Sequence, residues 1–263
     1  MYQEEIQTAG ALAAQKYKLL HERPLAYLIS AMQAGVFVGF GVLLSFTAGG
    51  LLTADGVPAV KLIMGACFGV ALSLVLMAGA ELFTGNTFVM TVGLLQKKAR
   101  LPHVAAICAL SWAGNLAGSA LLALLYRMTG LGTGAVAQIM ADTAAAKMAV
   151  PLGQLFVRAI LCNILVCLAV WCGIKMKSEA GKLIMVFWCL LAFFTTGFEH
   201  SVANMTLLTV ALLNPAGAAV DLLGYVYNLA VVTLGNMIGG IVFMALPYYA
   251  IARKRPAADK NVR

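Results

Sequence analysis

The chain has 263 residues, 62% of them hydrophobic and only 11% charged, with a mean hydropathy of +0.92. A soluble domain carries about 25% charged residues, so these figures exclude a soluble globular protein and indicate an integral membrane protein. The net charge of +8 would suit a nucleic-acid binder, but the basic residues sort by segment in a way that excludes that reading.

Residues 1–24 are polar. Within them Ile6, Ala9, Ala13, Tyr17 and Leu20 recur at helical spacing, which predicts an amphipathic helix on the cytoplasmic surface. No short signal peptide with a small-residue cleavage site is present, so the first span is expected to insert the chain. Apolar regions then follow at about 25–52, 62–95, 104–126, 155–174, 183–213 and 222–251. They compose a transmembrane domain over 25–252, with a basic tail over 253–263. Fourteen of the 18 Lys and Arg lie before the first region, in 96–103, in 175–182 or after 251. The alternate connections hold only Lys61, Arg127 and Lys147, and Arg158 opens the fourth region. That asymmetry places both termini in the cytoplasm of a multi-pass protein, expected in a bacterial cytoplasmic (inner) membrane. The basic balance therefore reports topology and contact with anionic headgroups of the bilayer.

The second and fifth regions are each too long for one upright span, which needs about 20 residues. Each carries a carboxylate at its centre, Glu81 or Glu199. A charge at that depth is expensive, and broken backbone survives there only where protein or a cavity satisfies it. A break is expected near Gly197–Ser201, and alignment of the two regions predicts its counterpart at Glu81. Glu81 precedes Asn86 as Glu199 precedes Asn204, and Thr91-Val92 matches Thr209-Val210. The third and sixth regions also correspond, through Gly114-Asn115 with Gly118 and Gly235-Asn236 with Gly239. Small residues at that spacing allow close helix approach, and Asn can bond across the contact. The fold read from this pattern is an all-α membrane protein of six transmembrane helices. They form a 3+3 inverted repeat with helices 2 and 5 broken, an arrangement that points to a transport site.

The candidate residues each have a bland reading beside the functional one. His200 is the only histidine in a span; a satisfied core imidazole is the alternative to a proton-exchanging group. Glu81 and Glu199 read as caps for the freed backbone donors, ahead of a direct role in proton or cation passage; Asn86 and Asn204 belong to the same networks. Thr84 is either back-bonded to its helix or a pore-lining donor. Lys147, in the Thr129–Gln154 connection, reads as an ordinary solvated lysine. Asn163 is a buried amide that needs partners. Phe68, Leu72, Leu82 and Phe193 are individually core or lipid-facing, and only the repeat makes some of them candidate constrictions. The six cysteines all fall in apolar regions without a C-x-x-C pair, as small-hydrophobe packing predicts. No metal, haem or other cofactor is expected. The sequence holds no H-E-x-x-H or G-x-S-x-G, so an enzyme is not expected either, whereas a neutral-solute channel for water, glycerol or ammonia stays open.

The stretch Gly197-Phe198-Glu199-His200-Ser201-Val202-Ala203-Asn204-Met205 resembles the fifth-helix motif of the formate/nitrite transporter family. Glu81-Leu82-Phe83-Thr84 resembles its second-helix motif, and Leu161-Cys162-Asn163 and Gly235-Asn236 fall at further family positions; the resemblance runs from Pro24 to Tyr249. It implies an aquaporin-like protomer in a homopentamer with one pore per subunit. His200 then matches the central pore histidine, Thr84 its polar neighbour, Asn163 a lining group and Lys147 the outer-vestibule lysine. Phe68, Leu72, Leu82 and Phe193 match the apolar constrictions. It also implies a small weak-acid anion as substrate (nitrite, formate or hydrosulfide) moving with protons. Asn204-Met205-Thr206-Leu207 is similar to the nitrite branch, whereas Asn86 departs from the His that nitrite members often carry.

Overall fold

The structure, a computed structural model, describes residues 1–54 and 56–253; the expected tail from 254 onward lies outside the described residues. Every secondary-structure element among the described residues is helical. Helix α1 (Gln3–Glu22) precedes the first span, α2 (Pro24–Ala54). The second span is α3 (Val60–Phe68) and α4 (Val70–Ala78), then a gap, then α5 (Phe83–Leu95). Next come α6 (Leu101–Thr129), the connecting α7 (Gly134–Met148) and α8 (Leu152–Lys175). The fifth apolar region is α9 (Glu179–Thr196), a gap and α10 (Ser201–Leu213). Helix α11 (Leu222–Ile238) passes through a π-helical turn (Gly239–Ala245) into α12 (Leu246–Ala252). Six of these helical runs are long and apolar enough to cross a membrane, while α5 and α10 are shorter apolar helices.

Both gaps arise from the same local chemistry. Gly79 (φ 78°) and Gly197 (φ 84°) adopt left-handed backbone, which costs a side-chain-bearing residue about 1–2 kcal/mol. After Gly197 the Phe198 N–H reaches back to the Phe193 carbonyl (3.0 Å), and after Gly79 the Ala80 N–H reaches the Val75 carbonyl (3.0 Å). At Gly197 this is the Schellman ending of an α-helix, and Gly79 makes the same six-to-one bond without the second one; both satisfy carbonyls that would otherwise be orphaned.

The small residues of the third and sixth regions serve close packing. A Cβ on Gly114 or Gly118 would collide with Ala31 or the Met32 carbonyl of α2, and one on Gly235 or Gly239 with Ala159 or the Ile160 carbonyl of α8. Helices α6 and α11 thus lie directly on α2 and α8, which brings Asn115 and Asn236 to the two gaps. Helix α1 buries Ile6, Ala9 and Ala13, packs against the last turn of α5 and is pinned by Gln96 donating to the Ile6 carbonyl (2.6 Å).

Candidate functional site

Each gap is closed by an asparagine from a neighbouring helix. Asn115 accepts the Phe83 N–H (2.9 Å) and donates to the carbonyls of Ala31 (2.7 Å) and Glu81 (2.9 Å). Asn236 accepts the Ser201 N–H (2.9 Å) and donates to the carbonyls of Ala159 (2.7 Å) and Glu199 (2.9 Å). The expected capping of freed backbone by Glu81 and Glu199 is therefore corrected: the amides do it, because an amide offers both donors and an acceptor where a carboxylate only accepts. The carboxylates instead bind side chains. Glu199 takes Lys147 (2.8 Å) and Asn204 (2.7 Å). Glu81 takes Lys16 (2.7 Å) and Asn86 (3.1 Å). Both carboxylates are thus paired and hydrogen-bonded, the condition under which a buried charge is tolerated.

His200 stands at the N-cap of α10. Its Nδ1 accepts the Ala203 N–H at 3.1 Å, so the proton of the neutral ring belongs on Nε2. Nε2 faces Thr84 Oγ across the gap at 3.2 Å. The first turns of α5 and α10 thus meet through one imidazole–hydroxyl contact. The ring lies nearly parallel to Phe193, 14° between planes and 5.8 Å between centroids, and Phe193 meets Phe68 edge-on at 5.6 Å.

Cavities line up through this point. One vestibule of about 560 Å³ is lined by Lys61, Lys147, Arg158, Phe193, Glu199 and His200 among others. A second, of about 600 Å³, is lined by Lys16, Leu72, Glu81, Leu82, Glu179 and Lys182 among others. Between them sits a chamber of about 10 Å³. It shares Phe193 and His200 with the first vestibule and Leu72 and Leu82 with the second, and Phe68 completes its apolar wall. A space of that size holds about one water.

The sequence model described as formate/nitrite transporter matches residues 3–250. The chain belongs to the formate/nitrite transporter family. It is 42% identical to the nitrite transporter NirC of Escherichia coli over 264 residues, spanning 99% of this chain and 97% of that one. A probable formate transporter of Methanothermobacter thermautotrophicus is 37% identical over 251 residues, with 88% and 91% covered. Among solved structures, an FNT family ion channel superposes with a TM-score of 0.89 at 41% identity, covering 94% of this chain and 98% of that one. A pentameric formate channel with formate bound gives a TM-score of 0.73 at 25% identity, with 86% and 96% covered.

In this family member the sequence-predicted residues do not all share one surface. His200, Phe68, Leu72, Leu82 and Phe193 line the central chamber, and Lys147 lines the vestibule beside it. Asn163 stands behind the path: its amide donates to Thr87 Oγ (3.0 Å) and to the carbonyls of Thr84 (3.3 Å) and Asn236 (2.6 Å). It locks the first turn of α5 to α8 and α11, and does not line any of the three cavities. Sequence reasoning missed Lys16 and took Lys147 for a solvated residue apart from the family resemblance. The signal for both was that a mid-span carboxylate demands a cation, and the repeat demands one for each half. It also missed Tyr27 and Asn228, which hold the second face of Asn86 (3.2 Å) and Asn204 (2.8 Å).

Proposed function

We propose that this family member carries nitrite across the bacterial inner membrane, with a proton, through a pore in each subunit of a homopentamer. In this reading the Lys147 vestibule faces outward and the Lys16 vestibule faces the cytoplasm with both termini, the orientation that the positive-inside asymmetry favours. The observation that carries the reading is the position of His200, which borders both the cationic vestibule and the apolar chamber. The likeness to a relative named as a nitrite transporter supports the substrate.

A bare anion loses its hydration on passing Phe193 and Phe68, and that desolvation is costly; a neutral acid avoids most of it. The anion enters toward the cationic wall and the N-terminal turn of α10, whose dipole favours negative charge. Nε2–H of His200 donates a hydrogen bond to it. Transfer of that proton to the anion would leave an imidazolate unless Nδ1 takes up a proton from hydronium of the vestibule in the same event, the ring returning to its starting tautomer afterwards. Nδ1 accepts the Ala203 N–H, so the cap bond must be released first, and this bond sets how readily a proton passes through the ring. Neutral acid then crosses Leu72 and Leu82 and releases its proton beyond them.

Proteoliposomes loaded with a pH indicator test the reading: nitrite uptake is expected to carry protons in step, and His200→Phe is expected to abolish the pH dependence of uptake. Nitrite current without proton movement would exclude neutral-acid passage. Formate and hydrosulfide serve as comparison substrates in the same assay; the likeness to a relative named as a probable formate transporter makes formate the second reading.

A further inference from the structure

Lys147 lines its vestibule with its charge already answered by Glu199 at 2.8 Å. The same wall holds two more cations, Lys61 and Arg158, and among the described residues neither forms an ion pair. The opposite vestibule is balanced: Lys16 pairs with Glu81 (2.7 Å) and Lys182 with Glu179 (2.9 Å).

The two halves locate this difference residue by residue. The Glu199 N–H donates to the Arg158 carbonyl, and the Glu81 N–H to the Ser30 carbonyl, each at 3.3 Å. The neighbouring carbonyls, Ala159 and Ala31, take Asn236 and Asn115. Arg158 therefore occupies the position that Ser30 occupies in the other half. The register that aligns Gly79 with Gly197 aligns Lys61 with Glu179, and Lys61 Nζ stands 3.3 Å from where a Cβ on Gly197 would lie. The Arg158 carbonyl is thus set at the depth of the helix break, bonded to the Glu199 N–H, and its partly exposed side chain lines the vestibule. A cation with no ion-pair partner among the described residues, carried on a membrane span and facing a cavity, is a functional feature by default. Its guanidinium offers two parallel N–H groups, which match the two oxygens of a planar monoanion.

We infer that Arg158, supported by Lys61, forms a capture site for planar two-oxygen monoanions in the Lys147 vestibule, a site with no counterpart across the repeat. It rests on the anion-carrying reading above and adds a direction to it. The site binds anions arriving from the Lys147 face and leaves binding from the Lys16 face unaffected. Microscopic reversibility keeps Vmax/KM equal from both faces for a passive path at equal pH, so the asymmetry resides in KM, with Vmax changing in proportion.

The test is zero-trans nitrite flux by the full chain in right-side-out and inverted membrane vesicles, at equal pH and no membrane potential. At about 20 mM salt, where screening is weak, wild type is expected to show the lower KM from the Lys147 face. Arg158→Gln is expected to raise that KM roughly 3- to 10-fold while leaving KM from the other face within about 2-fold, an error-scale change. Arg158→Lys is expected to recover only part of the loss, the share a point charge supplies without the two-pronged hydrogen bond, and a purely packing role for Arg158 would not produce even that. Lys61→Gln, at an exposed helix start, gives a smaller rise of the same sign and serves if Arg158→Gln fails to assemble. Equal KM changes from both faces, or none for either variant at low salt, would overturn the inference while leaving nitrite transport intact. Absence of nitrite flux in wild type would instead overturn the function on which it rests.

Discussion

The two helix breaks share a scaffold and differ at one cap. Gly79 and Gly197 end the incoming helices, Asn115 and Asn236 close the gaps, and Glu81 and Glu199 each bind one lysine and one asparagine. At the N-cap of α5, however, stands Leu82, and at the N-cap of α10 stands His200. A leucine offers the following N–H groups nothing, whereas the imidazole caps with one nitrogen and projects the other into the gap. The matching parts close both gaps in the same way; the chemistry proposed above rests on His200, where the two halves differ. The same holds for the walls, where Arg158 answers Ser30 and Lys61 answers Glu179.

Substitutions made in pairs, one in each half, separate scaffold from chemistry. The largest effect is expected for the lysines. Lys147→Met strands Glu199, whose side chain is 3% exposed, and should lower stability by about 3–5 kcal/mol. Lys16→Met should cost less because Glu81, 11% exposed, keeps some water. Thermal midpoints in detergent compare the two, and Glu199→Gln in the Lys147→Met background should restore most of the loss. Next, Asn115→Leu and Asn236→Leu each remove three equivalent hydrogen bonds. Each should lose about 2–4 kcal/mol; clearly unequal midpoints would show that the gaps are not energetically alike. Gly79→Ala and Gly197→Ala should each cost about 1–2 kcal/mol of left-handed strain. The second should also perturb Lys61, which lies 3.3 Å from the added carbon, whereas nothing lies within 4 Å of the first. The smallest change is Thr84→Val, which removes the hydroxyl facing His200 and should slow nitrite uptake roughly 2- to 10-fold with little shift in thermal midpoint.

Much of this architecture was legible in the chain. Apolar stretches longer than one crossing, each with a single central carboxylate, marked where the backbone must break, and the Gly-Asn pairs marked which helices lie against the gaps. The pairing of Glu81 with Lys16 and of Glu199 with Lys147 was not legible, because those lysines sit on segments outside the apolar regions, whose docking is decided by tertiary packing. Asn163 shows the converse limit. Its type announced a buried amide with partners, but only the crowding of α5, α8 and α11 determines that those partners are helix groups rather than the path. The closing of the gaps by Asn115 and Asn236 was half visible: interhelical bonding was expected of them, and the three-way geometry that replaces lost backbone bonds was not.

The central chamber, about 10 Å³ between His200, Phe193 and the two leucines, has a consequence for bioenergetics. Room for a single water-sized particle leaves no continuous solvent file along which hydronium could hop from one side to the other. A waist this narrow offers no open water wire through which the gradient across an energised membrane would drain, which is the condition the proposed passage of anion with proton requires.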